Sequence, residues 1–241
     1  MAYAKIARKR PACSPLKILA LDTSTEYCSV ALQLDGTSAT RGVLAGQKHS
    51  ELVLGMVDEL LRERGVRLRD LDGIAYGEGP GSFTGLRIAC GVVQGLAFGA
   101  GLPVVGIGTL LAMAEASGAG RVVCCLDARM NEIYHAAYEK RGDTWAAVHE
   151  PSVCPPHAAP TLTGADWVAC GSGFAAYREA LEARYAGQLS RIEPERYPHA
   201  ADIARLAAAR FASGESTGAE FAAPVYVRNK VALRSDERAA R

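Results

Sequence analysis

Short apolar runs bounded by polar turns alternate along the chain with longer stretches in which apolar residues recur three and four apart. The short runs are typical of buried strands, and the longer spacing is typical of helices. We predict strands at 17–22, 28–34, 40–44, 73–76, 104–107, 121–127, 133–140 and 166–170. We predict helices at 49–64, 86–99, 109–116, 177–185 and 201–212, a proline-rich loop at 151–164 and an extended segment at 224–228.

This alternation of strands and helices predicts an α/β protein with two lobes. We place the N-terminal lobe at residues 17–117, with the C-terminal segment as a candidate to complete it, and the C-terminal lobe at 118–232. Residues 1–17 carry five lysines and arginines and no acidic residue, so we expect residues 1–16 to form a basic, flexible extension. Residues 233–241 are expected to form a flexible tail.

Two of the predicted helices carry more apolar surface than one sheet would bury. In helix 49–64, apolar side chains cover an arc of about 200°, roughly twice the stripe that a helix needs on a single sheet. Helix 86–99 is apolar almost all round, and Gly91, Gly95 and Gly99 lie four residues apart along it. A line of bare backbone lets another helix approach closely. The spacing fits packing within the chain and packing against a partner equally well.

Composition narrows the classes of protein that fit. The 241 residues are 49% apolar and 22% charged, which is typical of a folded globular chain, and the net charge of +1 gives no general attraction to nucleic acid or membrane. Residues 88–114 carry no charge, but Gly99, Gly101 and Pro103 interrupt this stretch. We therefore expect no membrane span. Seven cysteines without a C-x-x-C pair predict buried thiols in a cytoplasmic protein.

The glycine-rich stretch at residues 79–85 falls between a predicted strand and a predicted helix, where backbone amides can hold an anion. It lacks the lysine of a P-loop, and Thr84 replaces the third glycine of G-x-G-x-x-G. Asp22, at the end of the first strand, is the best single candidate for catalysis, and capping of the following turn explains it equally well. We interpret this stretch as a vestigial anion- or nucleotide-binding loop, whose candidate binding residues are Asp22, Ser24, Gly79, Gly81 and Ser82.

The chemistry of an independent enzyme is otherwise missing from the sequence. None of the five histidines lies three or four residues from another, so no helix face presents two imidazoles to a metal. No serine occupies a G-x-S-x-G elbow, and no cysteine is framed as a protease nucleophile. We therefore predict no catalytic residue and no metal site.

Five stretches of the chain resemble the TsaB (YeaZ) family. They are D-T-S-x-x-x-x-S-V-A-L at 22–32, G-x-G-P-G-S-F-T-G-L-R-I at 77–88, Q-G-L-A-F at 94–98, P-V-V-G-I at 103–107 and P-V-Y-V-R-N-x-V-A at 224–232. The resemblance spans residues 17–232. It implies a two-lobed fold of the actin, sugar-kinase and Hsp70 (ASKHA) type, with mixed sheets and flanking helices. It also implies a cytoplasmic, non-catalytic subunit of the complex that transfers a threonylcarbamoyl group to adenosine 37 of tRNA.

The resemblance implies partners as well. Such a subunit forms a heterodimer with its catalytic paralogue TsaD, and the ATPase TsaE joins the assembly. It contacts tRNA only indirectly, through the complex. A homodimer forms when TsaD is absent. TsaD holds a metal through an H-x-x-x-H pair, and the corresponding positions here are Thr109 and Met113, which are poor substitutes for two imidazoles. No cofactor is expected to be required, and weak or interfacial ATP or ADP binding is left open. The expected contact residues are Leu52, Met56, Leu60, Cys90, Gly91, Val93, Gln94 and Ala97.

Two other functions are compared with the features of the sequence in turn: an independent nucleotide-binding enzyme and a peptidase. The alternative hypothesis is a nucleotide-binding ATPase or sugar kinase of the same fold that acts alone, using Asp22 and residues 79–85. A peptidase is disfavoured because the sequence offers no metal pair, no nucleophile elbow and no framed cysteine.

Overall fold

A computed structural model describes residues 16–228, which form two five-stranded mixed sheets. The first sheet has the order β3-β2-β1-β4-β5 and the second has the order β8-β7-β6-β9-β10. The strands of the first sheet are β1 (Ile18–Asp22), β2 (Tyr27–Leu34), β3 (Thr37–Leu44), β4 (Gly73–Gly79) and β5 (Val104–Gly108). Those of the second are β6 (Arg121–Arg129), β7 (Glu132–Arg141), β8 (Thr144–Cys154), β9 (Trp167–Cys170) and β10 (Leu189–Glu193).

The two sheets repeat one plan. In each, the first three strands form an antiparallel meander, and two later strands continue the sheet in parallel from the strand that opened it. Strand β1 is buried along its whole length because it lies at the centre of its sheet, between β2 and β4. This architecture confirms the expected two-lobed α/β fold with mixed sheets.

Within residues 16–228, six helices cover the sheets. They are α1 (His49–Glu63), α2 (Phe83–Ala100), α3 (Thr109–Ala116), α4 (Gly173–Ala176), α5 (Arg178–Arg184) and α6 (Ala200–Ser213), with 3₁₀ turns at Leu68–Asp70, Pro156–Ala158 and Ala219–Phe221. Helices α1 and α2 share one apolar core on the first sheet, and α6 packs on the opposite face. Helices α4 and α5 cover one face of the second sheet, and α3 contributes to the core on its other face.

The chain returns to the first lobe after the second sheet is complete. Ile203, Ala204 and Ala207 of α6 are fully buried in the core that lies under β1, β4 and β5. Val104 and Thr217 then form an antiparallel bridge at the edge of the first sheet. The expected C-terminal lobe at 118–232 therefore contains a helix, α6, that packs on the first sheet rather than on the second.

Several predicted boundaries differ from the structure. Strands β8 and β10 were not predicted, and residues 151–154 of the expected loop belong to β8. Helix α2 begins three residues earlier than predicted, because Ser82 Oγ accepts a hydrogen bond from the Gly85 amide at 3.3 Å and caps the first turn. Most of the predicted basic extension and the predicted tail lie outside the described residues.

Helix α2 is long and apolar enough, by length and composition alone, to cross a bilayer. Its inward side packs in the core of the first sheet through Ala89, Cys90, Val93 and Ala97. A core helix of a soluble protein passes the same test of length and composition. The packing therefore supports the prediction that this stretch is not a membrane span.

Candidate functional site

An open cleft of about 490 Å³ lies between the two lobes. The loop at the end of β4 and the start of α2 forms one wall, and the hairpin that joins β6 to β7 forms the other. Because the two lobes share one topology, the end of β1 and the end of β6 both approach this cleft. Residues 225–228 of the extended C-terminal segment also line it.

Close backbone contacts hold the glycine loop in place against the turn that follows β1. A Cβ at Gly85 would lie 1.9 Å from the Thr23 carbonyl oxygen, and a Cβ at Gly81 would lie 2.4 Å from that of Ser24. The Thr23 hydroxyl donates to the Gly85 carbonyl at 2.7 Å, and the Ser82 amide donates to the Ser24 carbonyl at 2.7 Å. Only glycine fits at positions 81 and 85, because any side chain would separate the loop from the turn.

Asp22 is enclosed below this turn and does not line the cleft. Its side chain is fully buried and accepts hydrogen bonds from the Ser24 amide at 3.0 Å and the Ser24 hydroxyl at 2.8 Å. A Cβ at Gly77 would lie 1.8 Å from Asp22 Oδ2, so the backbone of β4 presses directly on the carboxyl group. Burial raises the pKa of Asp22 to about 7, although the two hydrogen bonds oppose that change. The sequence left both a catalytic role and a turn-capping role open for Asp22. The hydrogen bonds from Ser24 support the capping role.

The predicted anion-binding residues divide into two groups. Ser24, Gly81 and Ser82 line the cleft, whereas Asp22 and Gly79 do not. A Cβ at Gly79 would lie 2.7 Å from the Val225 carbonyl oxygen, because the C-terminal segment passes directly over this glycine. Asp22 and Gly79 are therefore covered in this conformation, and anion binding by Ser24, Gly81 and Ser82 stays a prediction. The polar atoms of Ser24 and Ser82 described above are already engaged within the loop and its neighbouring turn.

The second lobe contributes cleft residues that the sequence analysis missed. Asp127 accepts hydrogen bonds from the amide and the guanidinium of Arg129, both at 2.8 Å, and its own amide donates to Ser172 Oγ at 3.1 Å. The signal was present in the sequence, because the apolar run at 121–127 ends in an aspartate as the run at 17–22 does. Gly171-Ser172-Gly173 follows β9 just as the glycine loop follows β4.

The positions that correspond to the metal-binding pair lie in the interior. Thr109 and Met113 are both fully buried at the start and in the middle of α3. The Met113 methyl group occupies the space beside Gly171, where a Cβ would lie 2.6 Å from it. Within residues 16–228, no cluster of three or more histidine, cysteine or acidic side chains is placed to hold a metal ion.

Half of the expected docking residues belong to the core of the first lobe instead. Leu60, Cys90, Val93 and Ala97 are buried against the sheet and against the facing helix. The wide apolar arc of α1 arises because this helix packs on the sheet and beside α2 at the same time. These four residues cannot contact a partner in this structure, and a charged residue at Val93 would test folding rather than docking.

The remaining expected residues lie on or near the outside. Gly91 and Gln94 are exposed, and Leu52 and Met56 are half-buried. Two large apolar side chains on the same helices are also exposed, Leu54 by 50% and Phe98 by 83%. We call the surface formed by Leu54, Gly55, Gly91, Gln94, Gly95 and Phe98 the outer face.

The outer face is accessible to another backbone. A Cβ added at Gly55, Gly91, Gly95 or Gly99 would meet nothing within 4 Å. These glycines therefore do not serve a close contact inside the described part of the chain, in contrast to those of the cleft loop. Exposed acidic side chains accompany them on α1, at Glu51 and Glu59. An exposed apolar surface with bare backbone at its centre is typical of a protein-binding site.

The chain is similar to proteins of one tRNA modification pathway. Residues 37–235 match the family described as TsaD, tRNA N6-adenosine threonylcarbamoyltransferase. Over 229 residues the chain is 40% identical to the tRNA threonylcarbamoyladenosine biosynthesis protein TsaB of Escherichia coli (strain K12), a match that covers 91% of this chain and 97% of that protein. The TsaB protein of Haemophilus influenzae is 38% identical over 229 residues, covering 90% of this chain and 95% of that one.

A solved structure has the same fold. YeaZ from Pseudomonas aeruginosa superimposes with a TM-score of 0.82 at 39% sequence identity, covering 88% of this chain and 99% of that one. The similarity therefore extends over both lobes and the cleft between them.

Proposed function

The chain belongs to the TsaB family of tRNA threonylcarbamoyladenosine biosynthesis proteins, and from this membership we propose that it acts in that pathway as a non-catalytic subunit. In this role it supports transfer of the threonylcarbamoyl group to adenosine 37 of tRNA by binding a catalytic TsaD subunit. The family match supports the pathway, and the outer face supports the mode of action.

The observation that carries the docking proposal is the exposure of the outer face. Phe98 is 83% exposed at one end of α2, and Gly91 and Gly95 leave open backbone at its centre. Burial of a phenylalanine side chain stabilises an interface by about 2 kcal/mol, and bare backbone lets a partner helix approach closely. Two helices from each subunit would then share one interface.

The same surface accounts for the other proposed assemblies. Because α1 and α2 present the outer face side by side, two copies of this chain could pair through it when TsaD is absent. TsaE then joins the assembled pair, and tRNA is contacted through the complex rather than by this chain alone. We propose a cytoplasmic location, where tRNA modification takes place, with no membrane contact.

Enclosure of Asp22 and Met113 away from the cleft supports a subunit that leaves the chemistry to its partner. Asp22 is sealed beneath Gly77, and Met113 fills the interior beside Gly171. We further propose that docking requires no bound nucleotide, with weak ATP or ADP binding at the subunit boundary as the alternative. The internal hydrogen bonds of Ser24 and Ser82 support this, because an incoming phosphate would have to replace them.

Gly95→Leu tests the proposal, because it changes the outer face without a clash inside the chain. Nothing lies within 4 Å of an added Cβ, and leucine favours a helix over glycine by roughly 0.5–1 kcal/mol. We expect the variant to unfold at a higher temperature than the wild type and to bind TsaD at least about tenfold more weakly in pull-down and calorimetry.

Ala209→Leu is the matched control, because it adds the same side chain at an exposed position of α6, on the opposite face of the sheet. It should bind TsaD like the wild type. If Gly95→Leu binds TsaD with unchanged affinity, the outer face is not the docking surface.

A further inference from the structure

Residues 222–228, which we call the strap, run from the side of α2 to the second lobe. At the near end, Gln94 Nε2 donates to the Ala222 carbonyl at 2.8 Å. Next, the Ala223 amide donates to the Tyr76 hydroxyl at 3.0 Å. The Val225 amide then donates to the Glu78 carbonyl at 2.7 Å. Three successive hydrogen bonds therefore fix the strap to the first lobe. The first of them comes from Gln94, which belongs to the outer face.

The middle of the strap packs on the exposed side of α2. The Tyr226 ring lies 5.6 Å from the Phe83 ring, and the Arg87 guanidinium lies over both, 3.3 Å from the Phe83 centroid and 5.4 Å from that of Tyr226. Phe83 and Tyr226 are each exposed by about two fifths. Attraction between the cation and the aromatic rings favours this arrangement. The strap thus extends the surface of α2 beyond the outer face, towards the cleft.

The far end of the strap crosses to the second lobe through Arg228. Its guanidinium forms an ion pair with Glu132, at the start of β7, and lies 3.3 Å from the Met130 sulfur. The Arg228 side chain is 11% exposed and that of Glu132 is 34% exposed, so the guanidinium is shielded from water more than the carboxylate is. The hairpin that receives it holds Arg129, Met130 and Asn131 in the left-handed region, with φ of 62°, 58° and 59°. Non-glycine residues in that region are strained and persist only where surrounding contacts hold them.

We propose that the strap couples the outer face of α2 to the interlobe cleft, so that a partner docked on α2 also holds the two lobes together. This inference rests on the proposed function, because the coupling acts on the same docking surface. A partner that covers Gln94 and Tyr226 restrains the strap, and the restrained strap keeps Arg228 on Glu132. The cleft wall formed by the β6–β7 hairpin then becomes less mobile, although the partner does not contact it.

Hydrogen exchange on the isolated chain tests whether the Arg228–Glu132 ion pair stabilises the strap on the first lobe. Arg228→Gln removes the ion pair at the cleft end, and the Val225 amide should then exchange about tenfold faster. The matched control is Arg121→Gln, which removes the Arg121–Glu139 pair from the other end of the same two strands, β6 and β7. The control should leave Val225 exchange unchanged. Equal Val225 exchange in the wild type and Arg228→Gln would overturn the proposal.

Adding a saturating amount of TsaD subunit to the same proteins tests whether docking on α2 also stabilises the β6–β7 hairpin. In the wild type we expect slower exchange in three peptides, covering residues 83–98, 222–228 and 126–134. In Arg228→Gln, protection of 83–98 should remain while protection of 126–134 is lost, which is the signature of coupling through the strap. Protection of 83–98 without any change at 126–134 in the wild type overturns the coupling and leaves the proposed docking intact. No protection at 83–98 refutes the proposed function itself.

Discussion

The buried carboxyl group of Asp22 should make the stability of this protein fall as the pH rises through the range from 4 to 7. Burial raises the pKa of Asp22 from 3.8 to about 7 in the folded chain. Between these two values the folded state holds a proton that the unfolded state has released, so folding is favoured at the acidic end. The difference of about three pKa units corresponds to roughly 4 kcal/mol at about 1.4 kcal/mol per unit.

Asp22→Asn removes this dependence and keeps the shape of the side chain. An asparagine oxygen can still accept the hydrogen bond from the Ser24 amide, and no charge forms at any pH. Chemical denaturation between pH 5 and 8 measures the effect. We expect the variant to gain stability over the wild type as the pH rises, by a few kcal/mol at pH 8. Asp143→Asn, in the exposed turn between β7 and β8, is the control and should follow the wild-type curve. A wild-type curve parallel to that of Asp22→Asn would refute the reasoning.

Two further predictions follow from Glu115 and from the cleft loop. Burial alone would raise the pKa of Glu115, but hydrogen bonds from Trp145, Arg205 and Lys140 lower it to about 2. Because the folded state favours the ionised form of Glu115, the hydrogen-bond network stabilises the folded chain above pH 4.5. This stabilisation is lost as the pH falls towards 2. Glu115→Gln should therefore lower the free energy of unfolding by about 3 kcal/mol at pH 7, as measured by chemical denaturation. An unchanged denaturation midpoint would show that these hydrogen bonds do not stabilise the folded chain. Titration calorimetry of the isolated chain with ATP and Mg²⁺ should give weak binding or none; tight binding with turnover would favour the ATPase hypothesis.

Strands β1, β2, β4 and β5 of the first lobe were predictable because each is a short apolar run that ends at a glycine or a polar turn. Strand β8 was not, because its residues are only half-buried at the edge of the second sheet and Pro151 falls within it. Proline is tolerated on an edge strand, where its missing amide leaves no ladder bond unmade. Strand β10 lies at the opposite edge, with a burial pattern too weak to alternate clearly. Edge strands carry the weakest hydrophobic signal because one of their sides has no neighbouring strand.

The docking residues show a different limit of sequence analysis. A helical arc reports how much apolar surface exists, but it does not report which element covers each part. The sequence therefore grouped Val93 with Gly91, although the structure buries Val93 against the sheet and leaves Gly91 outside. Phe98 was missed as a contact residue because its helix is apolar on nearly every side. Exposure of such a side chain becomes visible only once the helix is docked on its sheet.

The glycines of this chain separate into two groups with opposite physical roles. At Gly77 and Gly85 an added Cβ would collide with Asp22 or with the Thr23 backbone, so these residues exist to bring parts of the first lobe into contact. At Gly91 and Gly95 an added Cβ would meet nothing, so their bare backbone has no use within the described part of the chain. The first group closes the cleft loop around a carboxyl group that ligands cannot reach. The second group leaves a surface on α2 open within residues 16–228, and this is the surface that we propose for docking, whereas Asp22 is enclosed.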